Sequence, residues 1–341
     1  MAMTETRRPI SLTGIKPTGV PHLGNYVGAI RPALKLVEGY DAFYFIADYH
    51  ALISVRDRES LDYYTRSVAA TWLACGLDPE AATFYRQSDI PETFELTWVL
   101  ACMTPKGLMN RAHAYKAARD KNREAGLVDL DAGINMGLYN YPILMAVDIL
   151  IMEADVVPVG KDQIQHVEIA RDIAGSFNHA YGDKYEFKLP RNITSEDEDA
   201  NAMPGLDGRK MSKSYNNTIP LFCERNELRK LVRRIKTDST PVDAPKDPDS
   251  SSLFSIYKQF ASEEDQAKMR ERMLAGGLGW GEMKDMLFEQ IDAVLAEPRE
   301  RYKALMEDRK ALDEILASGA ERARARARRV LESVRAAIGI D

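Results

Sequence analysis

Cysteine is scarce in this chain: three in 341 residues, Cys75, Cys102 and Cys223, with no C-x-x-C pair among them. That spacing excludes a structural zinc ribbon and a disulfide framework, and it fits a reducing compartment. Long apolar runs are missing as well. No stretch approaches the roughly 20 residues a helix needs to span a bilayer, and the start "MAMTETRRPISL" lacks the apolar core of a secretory signal. A cytoplasmic protein without membrane association is expected. Positive charge is in deficit, with a formal net of −6, so any nucleic-acid partner must be held by a local basic patch.

The length suffices for about two domains, each with its own core. In the first part "ISLTGI", "DAFYFIAD" and "ATFYRQ" are rich in β-branched and aromatic residues and bounded by turn formers, which predicts strands. Between them "NYVGAIRPALKLVEG" and "ESLDYYTRSVAATWLACG" carry apolar residues at helical spacing. Alternation of this kind predicts an α/β fold, a parallel Rossmann-like sheet with its ligand crevice at the strands' carboxyl ends. Three helical segments follow, near residues 91–103, 109–123 and 141–155, then a short strand "DVVPVG" and a long helix from residue 161. Residues 191–217 read as a loop carrying the acidic run "SEDEDAN" and then a basic cluster; its composition suggests a hinge. After Pro220 no strand is expected. The helix "NELRKLVRRIK", a Pro- and Asp-rich linker and an all-helical remainder complete the chain. The expected division is 1–220, with an inserted helical segment, and 221–341. In "RARARARR" the alanines favour helix, and the arginines are expected to spread around most of its surface.

The basic cluster "GLDGRKMSKS", residues 205–214, sets Arg209, Lys210 and Lys213 and two hydroxyls after two glycines. Glycines permit unusual backbone geometry, and ammonium and hydroxyl donors suit a compact anion. A solvated basic loop would have the same composition. The second informative stretch is "GIKPTGVPHLGNYVGAI", residues 14–30, where a strand gives way to a Gly- and Pro-rich turn and then to a helix starting around His22 to Tyr26. A helix start after such a turn offers unpaired N–H groups to a phosphate. Gly24 would let a ligand approach the backbone, with His22 and Asn25 as donors. Many α/β turns carry a glycine for packing alone.

"PHLGN" after the first strand, with "KMSKS" at residues 210–214, resembles the paired signature of class I aminoacyl-tRNA synthetases. "ADYHALIS", "YPILMAVDIL", "VPVGKDQIQHVEIARDIA" and the C-terminal "GAERARARARRVLESVRAAIG" extend the likeness, toward the tryptophanyl-tRNA synthetases of bacteria. The resemblance implies activation of tryptophan with ATP and Mg²⁺, then transfer to tRNA(Trp) by a homodimer, with residues 221–341 as an anticodon-binding domain. It implies an ATP site of Lys16, Thr18, His22, Gly24, Asn25, Gln163, Lys210, Met211, Ser212 and Lys213. Among these, Lys210, Lys213, His22 and Asn25 would stabilise charge during the reaction. The amino acid would meet Leu12, His50, Tyr141, Met145, Asp148, Val157, Val159, Asp162 and Gln163.

Asp148 stands among apolar neighbours in "YPILMAVDILIMEAD". A carboxylate so placed is seldom buried without a partner, so a salt bridge to a distant Arg, or a helix-end cap elsewhere, competes with the implied role of accepting the indole N–H. His50 could equally be a satisfied core histidine, and Asp162 an ordinary partner of the helix dipole. Arg111 and Lys116 either meet phosphates or face solvent. The sequence departs from the bacterial pattern at Lys16, commonly Gln, at His22, often Thr, and at Leu12, often aromatic. The helix at residues 225–236 and the arginine-rich end are candidates for the tRNA patch. A tyrosine-specific relative, a small-molecule nucleotidyltransferase and an inactive tRNA-binding regulator are the competing readings; "VPVGKDQIQH", the helical half and the intact "KMSKS" argue against them in turn.

Overall fold

The computed structural model of the chain describes residues 7–160, 163–194 and 202–340. Asp162 and the acidic run at residues 195–201 lie outside the described residues. Among the described residues five parallel strands form one sheet: β1 (Ile10–Ile15), β2 (Asp41–Ile46), β3 (Ala82–Arg86), β4 (Val156–Pro158) and β5 (Arg191–Ile193), in the order β3-β2-β1-β4-β5. β1 pairs with β2 along its whole length, from Ile10 opposite Asp41 to Ile15 opposite Ile46.

Both faces of the sheet are covered, as parallel strands require. Ile10, Leu12, Phe43 and Phe45 pack with the helices Met136–Ile151 and Ile164–Tyr181, while Ala42, Tyr44 and Ile46 pack against Trp72 of the helix Arg58–Ala74. Asp57 caps that last helix, its carboxylate accepting from Ser60 N at 2.8 Å, an arrangement worth about 1 kcal/mol. The helix Met136–Ile151 begins five residues before the apolar run that announces it, because Asn135 caps it through Leu138 N at 2.9 Å. β5 was expected as loop. It has three residues, two of them exposed, and so carries no apolar signal.

The second core lies between the halves of the chain. Leu23 and Val27, after β1, pack with Met203, Met211, Ile219 and Leu221 and with Leu228, Val232, Phe254 and Tyr257 of the C-terminal helices. The 30-residue helix Arg309–Ile338 returns to the sheet. Ala320, Ala323 and Ala327 are at most 6% exposed and join the first core, and a methyl group on Gly319 would overlap the carbonyl oxygen of Phe84 in β3. The small residues let the helix lie on the edge strand. That contact corrects the expected distribution of the arginines. Arg326 is buried, bonded to Glu153 at 2.7 Å; Arg322 donates to the carbonyls of Pro79 and Ala82, and Arg324 and Arg328 converge on Glu92.

Candidate active site

The strand order reverses between β1 and β4, so their carboxyl ends open the crevice where ligands bind in sheets of this topology. Residues 16–25 leave from β1 on one side of that crevice, and Val159 and Gly160 leave from β4 on the other. The turn after β1 is built around Gly19, at φ +142°. A side chain is strained there, and a Cβ would lie 3.0 Å from Lys213 Nζ and 3.2 Å from its Cδ and Cε. The two signature segments therefore touch, with Gly19 leaving room for the Lys213 side chain. Backbone hydrogen bonds reinforce the junction: Leu23 N donates to Ile219 O at 3.0 Å and Leu221 N to Pro21 O at 2.9 Å.

His22 precedes the helical turn Leu23–Asn25, and Asn25 Oδ1 accepts from its backbone N at 3.1 Å. That leaves the Asn25 amide hydrogens as donors. The His22 ring is buried, and among the described residues its Nδ1 has no hydrogen-bond partner. Burial, with the positive Lys213 nearby, lowers its pKa to about 4, so at neutral pH it is an uncharged donor and acceptor. Gly24 packs under the imidazole, where a Cβ would lie 3.1 Å from Cε1. A π-helical turn, Tyr26–Ile30, follows; such turns are rare and concentrate at functional sites. Lys16 and Lys213 have accessible surface, yet burial lowers both pKa values, that of Lys213 to about 8. Both ammonium groups reach solvent while the protein around them disfavours their charge. Lys16 Nζ stands 5.9 Å from the Tyr141 ring centroid, and Thr18 N closes the turn on Lys16 O at 2.9 Å.

Asn217 organises the "KMSKS" loop, a role the sequence reading missed. Buried, it accepts from Ser212 N at 2.8 Å and donates to Asp207 Oδ1 at 2.7 Å and Lys210 O at 3.1 Å. Met211 is also buried and anchors the loop to the second core. Ser212 and Ser214 share a hydroxyl contact of 2.8 Å. Arg209 is paired with Asp207 and lies 4.4 Å over the Tyr215 ring.

On the far side of β1, Asp148 is 5% exposed and has its partners within reach: His50 Nε2 at 2.9 Å, and Gln87 Nε2 at 2.9 Å from each carboxylate oxygen. The expected alternative, an arginine partner, is replaced by this pair. Desolvation raises the pKa of Asp148, against the hydrogen bonds and charge of His50 and the hydrogen bond of Gln87. Tyr141 meets His50 edge-on and contacts His166 Nε2 through its hydroxyl at 3.1 Å. Met145 and Val159 are half-buried against the first core; Leu12 and Val157 are buried in it. Gln163 is exposed at the start of the helix Ile164–Tyr181, its N bonded to Gly160 O at 2.9 Å. Arg111 and Lys116 are exposed. Gln87 was not anticipated; its position at the carboxyl end of a parallel strand was the available signal.

The sequence profile described as tRNA synthetases class I (W and Y) matches residues 4–296. The tryptophan–tRNA ligase of Neisseria meningitidis is 55% identical over 331 residues, 96% of this chain and 97% of that protein. That of Pseudomonas aeruginosa is 55% identical over 332 residues, 96% of this chain and 73% of the relative. Among solved structures, tryptophanyl-tRNA synthetase from Campylobacter jejuni, complexed with ADP and tryptophan, superposes with a TM-score of 0.86 at 43% identity, covering 97% of this chain and 99% of that one. With a profile matched over most of its length and relatives this similar, the chain belongs to the class I tRNA synthetases of the tryptophan and tyrosine group.

Proposed function

We propose that the chain activates L-tryptophan with ATP to tryptophanyl-adenylate and pyrophosphate, and then transfers tryptophan to the 3′-terminal adenosine of tRNA(Trp). The observation that carries this reading is a buried carboxylate, Asp148, on one side of a crevice whose other side joins Lys213 to the Gly19–His22 turn. An indole N–H is a donor only, so a buried carboxylate that keeps an acceptor direction open would select it. A site built to pair a polar atom rejects analogues lacking it by up to about 10⁴ to 10⁵.

In the first step a tryptophan carboxylate oxygen attacks the α-phosphorus of ATP, and the bond from that phosphorus to the oxygen bridging to the β-phosphate breaks. The carboxylate is already ionised at neutral pH, so no general base is needed. His22, uncharged there, suits the role of hydrogen-bond donor. Lys210, Ser212 and Lys213 would hold the β and γ phosphates, with Mg²⁺ entering as the ATP complex. Lys16, Thr18, Gly24 and Asn25 would face the same nucleotide, and Asp162 and Gln163 the amino group and ribose. Leu12, His50, Tyr141, Met145, Val157 and Val159 would surround the indole. Stabilising charge that develops on phosphate oxygens is the principal demand on such a site. Tryptophan-dependent exchange of pyrophosphate into ATP is expected, with tyrosine inert and Asp148→Asn strongly impaired on tryptophan. Equal exchange with tyrosine would sink the assignment.

A homodimer belongs to the same reading. Phe94 and Trp98, one helical turn apart on Glu92–Ala101, are 45% and 74% exposed, and Phe94 meets Tyr49 edge-on at 4.6 Å. Exposed aromatics on one face are typical of an interface. Trp98→Asp should sediment as a monomer where the parent sediments as a dimer; a variant that stays dimeric removes this face from consideration.

A further inference from the structure

Gln87 is 1% exposed and sits in the short turn Gln87–Asp89 after β3, remote in sequence from every segment of the signature. Its amide nitrogen lies 2.9 Å from both oxygens of Asp148, and its Oε1 accepts from His50 N at 3.4 Å. The turn is fastened to the neighbouring strand end. Asp48 accepts from the backbone N of Ser88 at 3.0 Å and from the Ser88 hydroxyl. That tie holds the backbone of the turn, and the Gln87 side chain is held by its own bonds to Asp148 and to His50 N. A carboxylate offers four acceptor directions. His50 and Gln87 occupy two on Oδ2 and Gln87 one on Oδ1, which leaves one direction on Oδ1.

We infer that Gln87 is a positioning residue for substrate selection: it fixes the plane of Asp148 so that the remaining acceptor direction of Oδ1 meets the substrate's ring N–H. This rests on the indole reading proposed above. The test compares kcat/KM in pyrophosphate exchange for tryptophan and for 3-benzothienylalanine, which keeps the ring shape and lacks the N–H. Gln87→Met preserves length without donors. The tryptophan-to-analogue ratio should fall about tenfold or more, with the analogue's own rate little changed. Gln87→Asn, which keeps the amide but withdraws it by one methylene, should lower the ratio as well and covers the case in which the methionine variant misfolds. If both substrates weaken in parallel and the ratio holds, Gln87 only supports the fold and the inference is overturned. Asp148→Asn separates the two levels. A collapsed ratio there with an intact one in both Gln87 variants overturns this inference alone, whereas an unchanged ratio in Asp148→Asn overturns the indole reading and this inference with it.

Discussion

At the crevice, Lys16, Lys213 and His22 stand among protein atoms, and among the described residues no carboxylate comes within 4 Å of them. In the final helix the reverse holds: Arg309, Arg324, Arg326, Arg328 and Arg335 each meet an acid, and Arg322 meets two carbonyls. The helix Arg225–Arg233 follows the same pattern, with Arg225 and Arg229 on Glu289 and Arg233 on Asp285. Cationic residues are abundant where they hold helices together and few where chemistry is expected. Basic composition is thus a poor guide to function here; a partly desolvated cation left without a counter-ion is a better one, because an anionic ligand would stabilise its charge.

The largest effect expected from that contrast is at Lys213. Lys213→Ala should lower the rate of pyrophosphate exchange by about 10² to 10³, on the order of 3–4 kcal/mol in the barrier. Its melting temperature should hold, since burial disfavours the charged form in the folded protein. A matching loss of stability would mean that this lysine is structural, as the arginines are. The pH dependence sharpens the point. Lys213 keeps its proton below about pH 8 and loses it as pH rises through that value. The alkaline limb of kcat/KM for ATP, which reports the free enzyme, should therefore fall there. Lys213→Arg, charged throughout, should lose that limb whatever its absolute rate.

A smaller effect, on stability alone, is expected from the docked helix. Gly319→Ala places a methyl on the Phe84 carbonyl, and overpacking of this kind costs about 1–3 kcal/mol. Denaturant unfolding should register it, while exchange per folded molecule stays unchanged. A loss of rate at full stability would show that the helix reports to the crevice and would blur the contrast.

The sequence carried the first four strands, the helix order and the two signature turns, because each rests on local composition: β-branched runs, helical spacing, glycines at turns. It did not carry the partners of Asp148, since His50 and Gln87 are 98 and 61 residues away and only the folded sheet brings their strand ends together. The same limit explains Asn217, a polar residue after "KMSKS" whose burial depends on the loop closing over it. In "RARARARR" the two-residue alternation runs against the helical period, so which arginines face the sheet followed from the docking of Gly319 and Ala323 and not from the pattern.

The smallest expected effect tests whether the contrast extends to tRNA. On the helix that follows the signature loop, Arg233 is paired with Asp285. Among the described residues no carboxylate lies within 4 Å of Lys230, Arg234 or Lys236, and all three are exposed. If uncompensated cations make the patch, Arg234→Ala should reduce the salt dependence of tRNA KM by about one unit of slope, with tryptophan activation untouched. Arg233→Ala should change it less, because its charge is already balanced and its removal leaves Asp285 to repel phosphate only weakly at the rim. Equal slopes for the two variants would mean that pairing does not decide which arginines meet the nucleic acid. The division between holding and binding cations would then apply to the crevice alone.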